Sequence, residues 1–443
     1  MTNTITSTIG TGQALYQKAK NLIPGGTSLL SKRPEMFLPE NWPSYYSKTK
    51  GCKIWDLDDK EYLDMCIMGI GTNILGYGNE RVDEAVKEVV TKGNMSTLNC
   101  PEEVALAERL VQMHPWADMV RFARTGGEAN AVAIRIARAA AERDKVAICG
   151  YHGWHDWYLS TNLSDKEGLN SHLLPGLNPA GVPKNLANTT LPFNYNKIEE
   201  LEKIVAENPD LGVIKMEVSR NHGPLPGYLE AVRKIATDNN IILIFDECTS
   251  GFRQTFGGLH KIYGVEPDMA MFGKALGNGY AITAIVGKKD VMQAAQKTFI
   301  SSTFWTERIG PTAALATLDV MEEEKSWETI TLTGSKITRA WKELGEKYEL
   351  PLHTAGLPSL TSFSIKSDNW LAYKTYITQE MLKKGILASN AVYVSVAHTQ
   401  EHIDRYFSEL EPLFKDIKSF EEGRNVYDLL EGPVSHGGFK RLN

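Results

Sequence analysis

From about residue 80 onward, short apolar runs alternate with amphipathic stretches of helical length, and this alternation constrains the chain more than any other feature. Residues 81–92, 101–113, 128–143 and 228–239 repeat apolar side chains at helical spacing, whereas 146–149, 211–214, 241–245 and 269–272 are brief apolar runs. Strands that are apolar throughout must be covered on both faces, and strands joined through helices run parallel. The expected fold is therefore α/β, a mostly parallel sheet covered by helices.

The flanks read differently. Residues 12–23 form an amphipathic helix that Pro24-Gly25-Gly26 must stop. Between 34 and 64, alternating polarity and a turn at Asp58-Asp59 predict a hairpin of short strands. After Leu318 come two long helices with strand-like runs at 360–365 and 393–396. At 443 residues the chain exceeds one ordinary core, so we expect a large domain over 66–320 and a small domain built from 1–65 together with 321–443. The stretch 160–197, poor in periodic apolar positions, reads as a long surface loop.

A net charge of -6 argues against nucleic acid or an anionic membrane as partner and leaves small molecules as the expected ligands. Cys52, Cys66, Cys100, Cys149 and Cys248 are scattered and never form a Cys-x-x-Cys pair, so neither a disulfide framework nor a zinc site is indicated. The N-terminus lacks the basic start and apolar stretch of a signal peptide, and no segment approaches membrane-spanning length; we expect a cytoplasmic protein.

In an open parallel sheet, ligands gather where strands end, and Asp246, Lys274 and Tyr151 all fall at such ends. Lys274 lies in Phe272-Gly273-Lys274-Ala275-Leu276-Gly277, where poor solvation favours a neutral amine, and Asp246 ends the apolar run Ile244-Phe245. A reactive lysine and a carboxylate able to hold a cationic ring nitrogen are the two fixed points needed to bind pyridoxal 5'-phosphate.

Thr125-Gly126-Gly127 precedes a clean helix, and the free amides of a helix start favour a phosphate. The same residues also fit an ordinary helix cap by Thr125. In Tyr151-His152-Gly153-Trp154-His155, an aromatic ring could stack on a planar cofactor. A metal bound by His152 and His155 is the competing reading, but no third ligand stands at a recognised spacing.

Taken with Leu22-Ile23-Pro24-Gly25-Gly26, Gly51-Cys52-Lys53-Ile54-Trp55-Asp56, Phe245-Asp246-Glu247-Cys248-Thr249-Ser250-Gly251-Phe252-Arg253, Tyr263-Gly264-Val265-Glu266-Pro267-Asp268 and Ser395-Val396-Ala397-His398, these residues resemble a class III (subgroup II) aminotransferase of PLP fold type I. Within that class the chain is most similar to glutamate-1-semialdehyde 2,1-aminomutases, from about Leu15 to Leu413. The resemblance implies that Lys274 forms the internal aldimine and then shuttles a proton, and that Asp246 pairs with the ring nitrogen. It implies that Tyr151 stacks on one ring face and that Cys248 packs where the family usually has valine. It also puts Thr125, Gly126 and Gly127 at the phosphate, Thr303 reaching that phosphate from a neighbouring subunit of a homodimer, and Asn221 near the phenolic oxygen.

Three pocket positions depart from the aminomutase pattern. The arginine that binds the substrate carboxylate is matched by Lys32, with Arg33 beside it; a glutamate is matched by Asn390, and a tryptophan by Ile70. Lysine lacks the planar fork that grips a carboxylate in two parallel bonds. The basic pair also fits a solvated N-terminal arm. The expected activity is amino transfer from an amino acid donor such as glutamate to a ketone or aldehyde. An aminomutase is the alternative, and a non-catalytic PLP-fold binding protein the third reading.

Overall fold

The computed structural model describes residues 10–172, 175–219 and 221–438. The chain divides into two compact units, one made of residues up to 70 with 76–78 and 333 onward, the other of 71–75 with 79–332. Against the expected limits of 66 and 320, the larger unit begins at 71 and continues to 332. Side chains hold this extension: the Trp327 ring lies 5.2 Å from that of Phe256, and Thr331 Oγ1 donates to the Arg253 carbonyl at 2.9 Å.

The smaller unit starts with helix Thr11–Leu22, which ends before the Pro24-Gly25-Gly26 turn. Gly25 has a φ of 73°, and a Cβ there would stand 2.1 Å from Arg33 Nη2, so this turn requires glycine. Three strands follow, β1 (Tyr46–Lys50), β2 (Lys53–Asp56) and β3 (Glu61–Met65), antiparallel in sequence. The expected hairpin is thus a three-stranded meander. Its second turn is closed by the Asp56 carboxylate, which accepts the amides of Asp58 and Lys60 at 2.9 and 3.0 Å.

The larger unit is organised on one sheet of β4 (Met119–Ala123), β5 (Lys145–Cys149), β6 (Thr190–Pro192), β7 (Leu211–Glu217), β8 (Ile242–Glu247), β9 (Met269–Phe272) and β10 (Thr283–Gly287), in the order β4-β10-β9-β8-β7-β5-β6. All pairs from β9 to β6 are parallel, while β10 runs against both β9 and β4. The sheet is therefore mixed but mostly parallel. Every residue of β7, β8, β9 and β10 is buried, as double coverage demands. Helix Gly126–Ala141 covers one face by packing Ala129, Ala133 and Ala137 into the cluster that holds Val146, Ile148, Val213, Ile244 and Met271. Each large apolar side chain so buried contributes roughly 1.5–3 kcal/mol.

The stretch 160–197 is not simply a surface loop. It holds a short helix, Thr161–Ser164, and strand β6, and it buries Leu169, Val182 and Phe193. Parallel pairing of Val146, Ala147 and Ile148 with Thr190, Leu191 and Pro192 ties it to the sheet edge.

Beyond 332 the chain returns to the smaller unit. Its β11 (Leu352–Ala355), β12 (Leu360–Ile365) and β14 (Ala391–Tyr393) form an antiparallel sheet, and β13 (Ile386–Ala388) pairs in parallel with β3. The N- and C-terminal segments thereby share one sheet. Three long helices, Ser326–Lys347, Trp370–Lys383 and Gln400–Glu421, occur where two were expected. The expected strand 393–396 ends at Tyr393, because the chain turns where the Ser395 amide donates to His398 Nδ1 at 3.1 Å.

Candidate functional site

Strands β4, β5, β7, β8 and β9 point the same way, so their carboxyl ends emerge along one edge of the sheet. Asp246 lies at the end of β8, Glu217 closes β7, and Lys274 follows β9. Tyr151 and His152 follow β5, and Gly126 follows β4.

Asp246 is buried. His152 Nδ1 donates to its Oδ2 at 2.8 Å, the Lys215 ammonium lies 3.6 Å from the same oxygen, and the Cys248 amide donates to Oδ1 at 3.2 Å. Burial raises the carboxyl's proton affinity, but the Lys215 charge and the His152 bond outweigh it and hold the group well below the usual carboxylate range. Burial also pushes the His152 imidazole down, so the ring sits neutral beside an ionised Asp246. Such a carboxylate is suited to accept a proton-bearing ring nitrogen.

Lys274 is part-buried and has a φ of 44°, a left-handed conformation unusual for a lysine. Its Nζ donates to Thr249 Oγ1 at 2.7 Å. The neighbouring strand ends are packed closely: a Cβ on Gly273 would lie 3.0 Å from Thr283 Cγ2 and 3.4 Å from Cys248 Sγ. A Cβ on Gly126 would also face Cys248 Sγ, at 3.9 Å. Cys248 thus stands beside both the lysine's strand and the glycine turn, and burial pushes its thiol well up, leaving it a small apolar filler.

Thr125 is the N-cap of helix Gly126–Ala141 in a full capping box: Glu128 N donates to Thr125 Oγ1 at 3.4 Å, and Thr125 N to Glu128 Oε2 at 2.9 Å. Capping and anion binding are compatible here. The first-turn amides of Gly126 and Gly127 have no acceptor inside the helix and remain suited to a phosphate. A Cβ on Gly127 would meet His155 Cε1 at 2.9 Å. His155 stacks on Trp154 at 4.4 Å, so the two histidines of this run do different work. Among the described residues no group of three or more His, Cys, Asp or Glu is arranged to hold a metal.

Tyr151 is held from below: its amide donates to Glu217 Oε2 at 3.0 Å, and its ring meets Tyr158 edge-on at 6.1 Å. Thr303 and Asn221 are exposed on the larger unit, and Asn221 follows Arg220, which lies outside the described residues. Lys32, Arg33, Ile70 and Asn390 belong to the smaller unit. Lys32 is exposed and Arg33 part-buried; Ile70 has a φ of 63°, and Asn390 donates its side-chain amide to the Phe363 carbonyl at 3.0 Å.

Four participants escape a reading by motif: Lys215, Glu217 as the support of Tyr151, Thr249, and His152 as the partner of Asp246. The available signal was a lysine and a glutamate inside an apolar run, Ile214-Lys215-Met216-Glu217.

The family model described as Aminotransferase class-III matches residues 39–413. The 3-aminobutyryl-CoA aminotransferase of Cloacimonas acidaminovorans (strain Evry) is 33% identical over 404 residues, covering 88% of this chain and 93% of that protein. The glutamate-1-semialdehyde 2,1-aminomutase of Methanococcoides burtonii is 32% identical over 363 residues, covering 80% and 83%. The PLP internal aldimine form of the Sphingopyxis sp. MTA144 FumI protein superimposes with a TM-score of 0.83 at 23% identity, covering 95% of this chain and 100% of that one.

Proposed function

The chain belongs to the class-III aminotransferase family and is a pyridoxal-phosphate-dependent transaminase, and from this premise we propose that it transfers an amino group between an amino acid, glutamate first among candidates, and a ketone or aldehyde. The relative named for 3-aminobutyryl-CoA supports a 3-oxoacyl compound as the acceptor class to try first. The observation that carries the reading is Asp246, buried and ionised, at the end of β8, beside strand β9, which leads into Lys274.

The residues present fit the cofactor by the chemistry of their donors: a carboxylate, an amine and a glycine turn at one sheet edge. When bound, pyridoxal phosphate supplies an electron-withdrawing ring that stabilises negative charge at the substrate's Cα. In this reading Asp246 would hold the cofactor at its ring nitrogen, and Lys274 would hold it covalently. With the cofactor bound, the Lys274 amine would be the group that moves a proton at the substrate, and Thr249 Oγ1, which accepts from its Nζ, would orient it. Gly126 and Gly127 would hold its phosphate, Tyr151 and Cys248 its ring, and Asn221 its phenolic oxygen. Thr303 serves the phosphate of a second subunit, so the working form is a homodimer. Lys32, Arg33, Ile70 and Asn390 are proposed to select the substrate. The five cysteines are free, which supports a reducing, cytoplasmic setting.

A second reading, intramolecular 2,1-aminomutation, is favoured by the aminomutase relative. The two separate by half-reactions. Transfer requires that glutamate convert the bound cofactor to its amine form and that an added carbonyl acceptor restore it. Conversion only by a diamino or semialdehyde substrate, with no response to glutamate and keto acids, would instead support the aminomutase.

A further inference from the structure

Lys215 sits within β7 with no exposed surface, its strand partners being Ile148 on β5 and Ile244 on β8. Val213, two residues earlier on β7, and Met271 belong to the apolar cluster. A cation here gives up its hydration and must find compensation nearby. Lys215 Nζ lies 2.9 Å from Met271 Sδ, a weak acceptor, and 3.6 Å from Asp246 Oδ2. That same oxygen also accepts the His152 bond. The site carboxylate is thus engaged from inside the sheet by a cation and an imidazole before a ligand takes up its remaining capacity.

The titratable groups bearing on Lys215 are Asp246 of β8, Glu217 of its own strand, Cys248 beyond β8 and His152 beyond β5; β9 presents uncharged Met271. Packing alone does not call for an ammonium, since methionine would fill much the same volume.

We propose that Lys215 is a positioning residue for the cofactor's ring nitrogen, sharing Asp246 with it and thereby loosening that nitrogen's hold on its proton. This rests on the reading that Asp246 faces the ring nitrogen. Two cations on one buried carboxylate repel each other, so removing Lys215 leaves Asp246 to the nitrogen and the neutral His152, and tightens the proton's binding. The ring in the native enzyme is accordingly a weaker electron sink at alkaline pH than Asp246 with His152 would make it.

The test is nitrogen-15 NMR of the full-length enzyme loaded with ring-labelled pyridoxal phosphate, titrated with pH as wild type, Lys215→Met and Asp246→Asn. Lys215→Met is expected to raise the nitrogen's titration midpoint by at least one pH unit, a tenfold tighter hold on the proton, whereas Asp246→Asn lowers it. Equal midpoints in wild type and Lys215→Met, with Asp246→Asn lowered, overturn this inference and leave the function standing. A nitrogen that responds to neither substitution overturns both. Should Lys215→Met fail to fold, Lys215→Gln removes the same charge with a polar side chain, and the raised midpoint is required of it instead.

Discussion

The Glu217 carboxylate occupies the space that a side chain on Gly150 would take: a Cβ there would lie 2.5 Å from Glu217 Oε2. Gly150 has a φ of 115°, so both conformation and space demand glycine. The same Oε2 accepts the Tyr151 amide, which makes the missing Cβ a condition for holding the aromatic in place. Gly150→Ala is expected to cost about 1–3 kcal/mol in denaturant unfolding and to speed cofactor dissociation, followed by fluorescence.

Asp246 and Lys215 compensate one another inside the sheet, so removing one strands the other. Asp246→Asn in the cofactor-free protein is expected to lose about 3 kcal/mol of stability. Adding Lys215→Met to Asp246→Asn should recover most of it. Denaturant unfolding of the two single variants and the double variant measures this coupling, and additive losses would contradict the pairing.

Two buried histidines contribute to the loss of stability in acid. His114 Nδ1 donates to the Leu110 carbonyl and its Nε2 accepts the Gly258 amide; His398 Nε2 donates to the Asp64 carbonyl and its Nδ1 accepts the Ser395 amide. A second ring proton would destroy the accepting role, and burial lowers both from 6.5 to about 4. Because the folded value lies below the unfolded one, their contribution is complete above pH 6.5 and is lost as the pH falls through about 4. Each accounts for about 3 kcal/mol at neutral pH. Thermal unfolding against pH should show a steep fall in this window, flatter in His398→Asn.

Thr249 accepts from Lys274 Nζ, so Thr249→Val removes the hydroxyl at nearly constant volume. Transamination is expected to slow about tenfold with cofactor still bound. Steady-state kinetics should show the loss in kcat, with KM little changed; an unaltered kcat would remove Thr249 from the proton-transfer geometry.

What the sequence alone reveals of a residue depends on its physical surroundings. Asp246 and Lys274 could be read because each ends a short apolar run, where strand direction alone brings residues to one edge. Strands β4 and β10 were missed: β4 is only half buried at its start, and β10 follows a glycine-rich turn that masks its onset. Lys215 was missed because a lysine inside an apolar run reads as the end of a strand. Its compensation comes from β8, across the sheet. His152 and Asp246 lie 94 residues apart, and their bond depends on β5 and β8 both flanking β7, which local periodicity does not encode. Thr125 illustrates the converse, since the capping box it forms leaves the first-turn amides still suited to an anion.

In the proposed function, Lys274 is the residue bonded to the cofactor. Borohydride reduction of the loaded enzyme, followed by peptide mass spectrometry, fixes and locates any lysine–cofactor bond. A phosphopyridoxyl group on Lys274, absent in Lys274→Ala together with transamination, is the expected result. A label on another lysine, or activity surviving in Lys274→Ala, would contradict it.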